Sequence, residues 1–153
     1  MIEQLKKVKY TFGEKSQKAI NTCHNDLKLI LETAIRLSLI DFGVSEGNRS
    51  IKKQYEYFKK GLSQIDGITK KGKHNYVPSM AVDYYGFVNG KLSYDLETLS
   101  YLAGMFHAVT EMLLEQGKIT HGIRWGGNWD RDGEILTDQT FDDRPHIELI
   151  ELK

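Results

Sequence analysis

Four residues put the tightest constraint on how this chain can fold: His74, Asp83, Asp143 and His146. They fall in two short stretches, GKHNYVPSMAVDYYG (Gly72 to Gly86) and FDDRPHIEL (Phe141 to Leu149), with a long run of chain between them. Two imidazoles and one carboxylate can hold a zinc ion and leave its fourth position open to water. Asp143, three positions before His146, can then sit beside that water and take its proton. This is the minimal equipment for metal-assisted hydrolysis. Any fold that uses it must lay the two stretches side by side. Residue types alone leave another reading open, with His74 as a loop histidine and Asp83 and Asp143 as turn caps. Neither an H-E-x-x-H helix nor a C-x-x-C pair is present to decide the matter.

The rest of the chain bounds the answer. Its 153 residues suit one domain, and a domain near this size hides roughly 70% of its unfolded surface. Lys and Arg number 21, as do Asp and Glu, so there is no polyelectrolyte signature of a nucleic-acid partner. A single cysteine, Cys23, excludes an intrachain disulfide and reads as a small, semi-buried apolar residue. No apolar run approaches the ~20 residues of a membrane span. The N-terminal MIEQLKKVKYTFGEKS lacks the apolar stretch and cleavage site of a secretory signal. The expectation is a monomer made and kept in the cytoplasm, with no nucleic-acid or membrane partner.

Periodicity predicts the elements. Residues 1–12 read as an N-terminal arm on a single domain spanning 1–153. Helical spacing runs from Glu14 to Ser38, interrupted at His24-Asn25-Asp26, so two helices meet at a corner. Asn25 or Asp26 is the expected cap of the second helix, and His24 a turn residue. Phe42 to Asn48 is strand-like, and Ser50 caps a helix from Ile51 to about Lys60. Gly61 to Lys73, rich in Gly, Lys and Ser, reads as a mobile loop. In the strand Ala81 to Tyr85, alternation sets Ala81, Asp83 and Tyr85 on one face and Val82 and Tyr84 on the other. Asn89-Gly90 marks a turn. Ser93 is the expected cap of a long helix reaching about Gln116, with Leu99, Leu102, Phe106, Val109 and Leu113 as its apolar stripe. His107, on that helix, reads as a surface or packed histidine. Ile123-Arg-Trp is a short strand ended by Gly126-Gly127, and Ile147 and Leu149 alternate with Glu148 in the last one. Trp125 and Trp129 suit a groove wall or a core equally. Asn128, Asp130, Asp132 and Gly133 resemble half of a calcium loop, with Gln139 where a bidentate Glu belongs. A second structural cation near Asp130 and Asp132 is therefore an expectation too. Few short strands among several helices argue an α+β fold. The expected form is a small antiparallel sheet carrying the zinc site, packed against several helices.

These motifs, in order, resemble the zinc D-alanyl-D-alanine carboxypeptidase and L-alanyl-D-glutamate peptidase family. GKH…AVDYY resembles its first metal motif, and Asp143-Arg-Pro-His146 its second. Gly47-Asn-Arg49-Ser50 matches its arginine motif, and Arg124 to Asp130 (RWGGNWD) resembles a stretch of its phage members. The likeness runs from about Phe12 to Leu149 and is strongest to phage endolysins that cut between L-alanine and D-glutamate. There are departures. Gly72 stands where the family has Ser, and Ser79-Met80 replaces Gly-x before Ala81. The His74-to-Asp83 spacer is two residues longer than the commonest form, with Pro78 making the insert a stiff turn.

The resemblance implies one Zn²⁺ on His74, Asp83 and His146, with Asp143 as general base and then general acid. Asp142 faces the other way, because successive strand residues do. Arg49 is expected to hold a substrate carboxylate or steady the developing oxyanion, a task its planar fork suits. The implied substrate is the peptidoglycan stem peptide, and the protein waits in the host bacterial cytoplasm until released to the wall. Two other functions stay open. One is a D,D-carboxypeptidase or dipeptidase acting on D-alanyl-D-alanine; the other is a non-catalytic, zinc-stabilised wall-binding module.

Overall fold

Strand pairing brings the two distant stretches together. The structure, a computed structural model, describes residues 10–135 and 142–153. Among these lie four α-helices: α1 (Glu14–Ile20), α2 (Asn25–Leu37), α3 (Ile51–Lys59) and α4 (Leu96–Glu115). Five strands accompany them: β1 (Phe42–Glu46), β2 (Ala81–Val88), β3 (Lys91–Ser93), β4 (His121–Gly126) and β5 (Asp143–Glu151). They form one antiparallel sheet in the order β1-β2-β5-β4, with β3 added to β2. The fold is α+β, as few short strands among several helices indicate.

Alternation assigns the two faces. Val82 and Tyr84 of β2, Ile147 and Leu149 of β5 and Ile123 of β4 are buried in the core, together with the apolar sides of α2 and α4. The stripe Leu99, Leu102, Phe106, Val109 and Leu113 is buried throughout. Phe106 lies at the centre, edge-on to Phe42 and Tyr84 at 5.1 and 5.0 Å. The buried Tyr84 hydroxyl donates to Leu99 O at 2.9 Å. The opposite face carries Asp83, His146, Glu148 and Arg124, all polar. A one-residue slip in β2 or β5 would exchange the faces, so burial of one set holds the other in register.

Several local expectations change. The cap of α2 is His24, whose Nδ1 accepts the Asp26 backbone N–H at 3.0 Å, so neither Asn25 nor Asp26 serves. The long helix starts at Leu96 with Asp95 at its cap position. Ser93 instead ends β3 and accepts the Asp95 N–H at 3.1 Å. Ser50 does cap α3, through Lys53 N at 3.1 Å. Asn89 and Gly90 both take positive φ, 52° and 75°, closing the β2–β3 hairpin. Of the N-terminal arm, residues 1–9 lie outside the described set. Phe12 packs edge-on against Phe42 at 5.4 Å. Cys23 is buried, and burial pushes its thiol up to about 11. Among the described residues no helix is long and apolar enough to cross a membrane.

Candidate metal centre

Three of the four marked residues converge on one point. Asp83 of β2 stands directly opposite His146 of β5 in the antiparallel register, on the face away from the helices. His74 comes from a short 3₁₀ turn, Lys73–Asn75. That turn is fastened from several sides. Arg49 N donates to His74 O at 2.8 Å, and Met80 N to Lys73 O at 3.0 Å. Asn75 Nδ2 donates to Arg49 O at 3.0 Å. The long spacer is fastened as well: Ser79 N donates to Thr22 O at 2.8 Å, and His24 N to Ser79 O at 2.9 Å. The inserted residues thus lie along the α1–α2 corner.

The proton inventory of the cluster is decisive. His74 Nδ1 lies 2.7 Å from Gly47 O, a carbonyl that only accepts, so Nδ1 carries the proton and Nε2 a lone pair. His146 Nε2 lies 2.9 Å from Glu148 Oε1 and donates to it, which leaves Nδ1 as the second lone pair in the neutral ring. Asp83 Oδ1 is the third. These three acceptors face one another at 3.2 Å (His74 to Asp83), 3.2 Å (His74 to His146) and 3.3 Å (His146 to Asp83). Such a triangle is repulsive unless a cation sits in it. A zinc ion about 2.0–2.1 Å from each donor would span a tetrahedron with edges of roughly 3.3 Å. The donor set fits the metal in type, in size and in protonation.

Without an ion, the same groups draw a proton to His146 instead. Burial would lower His146, but hydrogen bonds to Asp83 and Glu148 outweigh it and raise it to about 9. Burial would raise Asp83, but hydrogen bonds from His146 and His74 pull its carboxyl well below the usual range. The pocket therefore favours one positive charge at this point, a proton on His146 Nδ1 or a metal ion in its place.

Arg49 and Asp143 flank the cluster. Arg49 is buried, and its donors are largely spent. Nε gives to Glu46 Oε1 at 2.8 Å, Nη2 to Glu46 Oε1 and to Asp83 Oδ2 at 3.3 Å, and Nη1 to Gln54 Oε1 at 3.0 Å. Of its five N–H groups one, on Nη1, remains for a ligand. Asp143 Oδ2 stands 3.8 Å from His146 Nδ1. Burial lifts its carboxyl above the ordinary value, with His146 opposing and Asp83 reinforcing. A Cβ on Gly126 would lie 1.9 Å from Asp143 O, so glycine is required where β4 bends past the acid. Asp142 is exposed and pairs with Arg144 at 3.5 Å, in keeping with its expected outward direction.

A groove of about 770 Å³ opens over the cluster, lined by Arg49, Tyr57, Lys70, Lys73, Trp129 and Asp143 among others. The two tryptophans divide. Trp129 walls the groove, while Trp125 packs on the core and donates to Arg144 O at 2.6 Å. Two residues that sequence reasoning passed over matter here. Gln54, in α3, is 2% exposed and accepts from Arg49 and Asn75. It donates to Ser63 Oγ at 2.8 Å and Ile65 O at 2.7 Å, tying in the loop read as mobile. Glu148 receives the His146 proton, and its place two residues after His146 on one strand was the available signal. In the Asp130/Asp132 loop both carboxylates accept backbone N–H, from Asp132 at 3.3 Å and Glu134 at 2.8 Å. Gln139 lies outside the described residues. His107 is exposed, away from the cluster.

Comparison with known proteins shows the family. The model of the phage L-alanyl-D-glutamate peptidase family matches residues 8–150. The L-alanyl-D-glutamate peptidase of Escherichia phage T5 is 27% identical over 146 residues, covering 92% of this chain and 98% of that protein. The peptidoglycan L-alanyl-D-glutamate endopeptidase CwlK of Bacillus subtilis (strain 168) is 31% identical over 119 residues, covering 72% of this chain and 62% of CwlK. The crystal structure of the Serratia marcescens L-Ala D-Glu endopeptidase ChiX superposes with a TM-score of 0.71 at 26% identity, over 98% of this chain and 96% of ChiX. With four ordered motifs folded onto one centre and the family model spanning nearly the whole chain, this protein belongs to the phage L-alanyl-D-glutamate peptidase family.

Proposed function

We propose that this protein is a zinc-dependent peptidoglycan peptidase that hydrolyses the L-alanyl-D-glutamate bond of cell-wall stem peptides. The observation that carries the reading is the triangle of three lone pairs with the Asp143 carboxylate 3.8 Å from one of them, within a chain of this family. Bound zinc supplies a Lewis acid that polarises the scissile carbonyl and makes water nucleophilic near neutral pH. His74, Asp83 and His146 would hold it. Asp143 accepts the proton of the attacking water, then returns it to the departing amine of the glutamyl residue. Its lifted pKa suits an acid that must both take and give a proton. Arg49 anchors Asp83 through Oδ2 and offers its remaining Nη1 proton to a substrate oxygen. Trp129 and Tyr57 wall the groove against bulk water.

The test is the mass of fragments released from purified peptidoglycan, with and without chelator. The expected product has a new N-terminal D-glutamate, or its amidated form, with L-alanine left on the muramyl side, and chelator stops its release. Free D-alanine with no new glutamate N-terminus would move the protein to the carboxypeptidase reading. Undiminished cleavage by metal-free protein would remove zinc from the mechanism.

A further inference from the structure

Glu148 carries a cost that no step above accounts for. It is 6% exposed, mid-strand in β5, and a buried carboxylate is expensive unless both oxygens are satisfied. Both are. Oε1 takes the His146 Nε2 proton at 2.9 Å, and Oε2 takes Arg124 Nη2 at 2.8 Å. Sheet geometry makes the arrangement inevitable once the register is set. His146 and Glu148 are two apart on one strand and share a face, and Arg124 of β4 is the direct cross-strand partner of Glu148. The chain of contacts then closes on itself. The Arg124 guanidinium lies 5.3 Å from the centre of the Trp129 ring, and that ring lies 5.5 Å from the His146 ring.

We propose that Glu148, held by Arg124, is a positioning residue for His146, keeping the proton on Nε2 so that the Nδ1 lone pair points at His74 and Asp83. The inference rests on the metal-centre reading above. An imidazole can turn over about its Cβ–Cγ bond, and the turned ring would present carbon where each nitrogen stood. The ring as observed keeps the Nε2 hydrogen bond, and the turned ring loses it. Arg124 matters because it occupies the second oxygen and compensates the charge of a carboxylate in this buried place. Trp129 covers the pair from the groove side. Carboxylates that accept the outer N–H of a ligating histidine are the general means of setting its orientation, and losing one typically weakens metal binding about 10- to 100-fold.

The experiment measures zinc affinity by competition with a chromophoric chelator. It uses the full chain as wild type, Glu148→Ala, Glu148→Gln and Arg124→Met, with the melting temperature of each taken in excess chelator. Glu148→Ala is expected to weaken zinc binding by about 10- to 100-fold. Glu148→Gln, which keeps an oxygen for the Nε2 proton, should recover most of that loss, and Arg124→Met should fall between. A purely structural ion pair would lower the metal-free melting temperature of the variants and leave zinc affinity within twofold, and that result overturns the inference. If Glu148→Ala does not fold, NMR of the zinc-loaded wild type decides: a His146 Nε2 proton shifted downfield and slow to exchange upholds its hydrogen bond to Glu148, and one that exchanges as freely as a solvent-facing imidazole proton ends the inference. A wild type that takes up no zinc removes the metal centre and this inference together. Wild type and variants that bind equally remove the inference alone.

Discussion

Among the described residues lie two histidine–aspartate–histidine clusters, and they differ in where their protons sit. His74, Asp83 and His146 form the first; His24, Asp26 and His121 form the second, with ligand-type atoms gathered in the same way. Residue types and spacing in space are alike. Proton placement is not. In the second cluster every close contact has a hydrogen between its heavy atoms. Asp26 N–H points at His24 Nδ1 at 3.0 Å, and His121 Nδ1 gives its proton to Asp26 Oδ2 at 2.7 Å. Oδ2 also accepts Thr120 N at 3.0 Å and His121 N at 3.3 Å. The outer nitrogens of the first cluster are instead engaged by a carbonyl and a carboxylate, which turns three lone pairs inward. A satisfied network needs no cation, whereas a ring of acceptors does. Ligand-type residues in proximity are therefore weak evidence for a metal; what lies on their far sides decides.

The sharpest way to break this comparison is to delete one histidine from each cluster and count metal. His74→Ala and His146→Ala should each take bound zinc from about one per chain to none under chelator competition, and abolish wall cleavage with it. His121→Ala and His24→Ala should keep both. Loss of zinc on deleting His121 would make the second cluster a site and refute the argument from protons.

Asp143→Ala is next in size. It should fold, keep its zinc and lose turnover by about 10²- to 10⁴-fold, the usual cost of a missing general base. The same change at Asp142, which points away and pairs with Arg144, should leave turnover near wild type. The reverse pattern would place the acid one residue off.

How much of this was legible beforehand follows from what each residue depends on. His74, Asp83, Asp143 and His146 could be marked from sequence because the family resemblance lends meaning to short local patterns, and strand alternation separated Asp83 from Val82. Asp143 is brought to His146 by the register shift opposite Trp125 and Gly126, which alternation could not foresee. The buried stripe of α4 was equally plain, since 3.6-residue spacing is a local property. Glu148 and Gln54 were not legible in their roles. One is a polar residue in an alternating strand and the other a glutamine in a charged helix, and only cross-strand register and loop packing give them partners. The cap at His24 was missed for another reason. Asn and Asp are the usual caps, and both follow it directly, so the less common imidazole acceptor was passed over.

The smallest effect belongs to the second cluster, and it tests whether that cluster is a fastening. Asp26 in the first turn of α2 holds the start of β4 through Thr120 and His121, residues far from it in sequence. Burial would raise its carboxyl, but the His121 hydrogen bond and the two backbone N–H groups outweigh that and lower it. The sign follows from linkage. A carboxyl whose folded pKa lies below its unfolded value of about 3.9 stabilises the fold fully above that value and ceases to as pH falls through the folded one. Asp26→Ala should therefore cost about 1–3 kcal/mol in denaturant melts at neutral pH, the penalty for several donors left short of an acceptor. The gap to wild type should narrow as the solution is taken below pH 4 and close in stronger acid. Zinc content should not move at any pH where the protein is folded and the first cluster intact. A stability gap that persists unchanged into acid would mean that Asp26 acts by packing and not by its charge. A gap at neutral pH that appears only when zinc is added would mean that the second cluster binds metal after all, and that proton placement misjudged it.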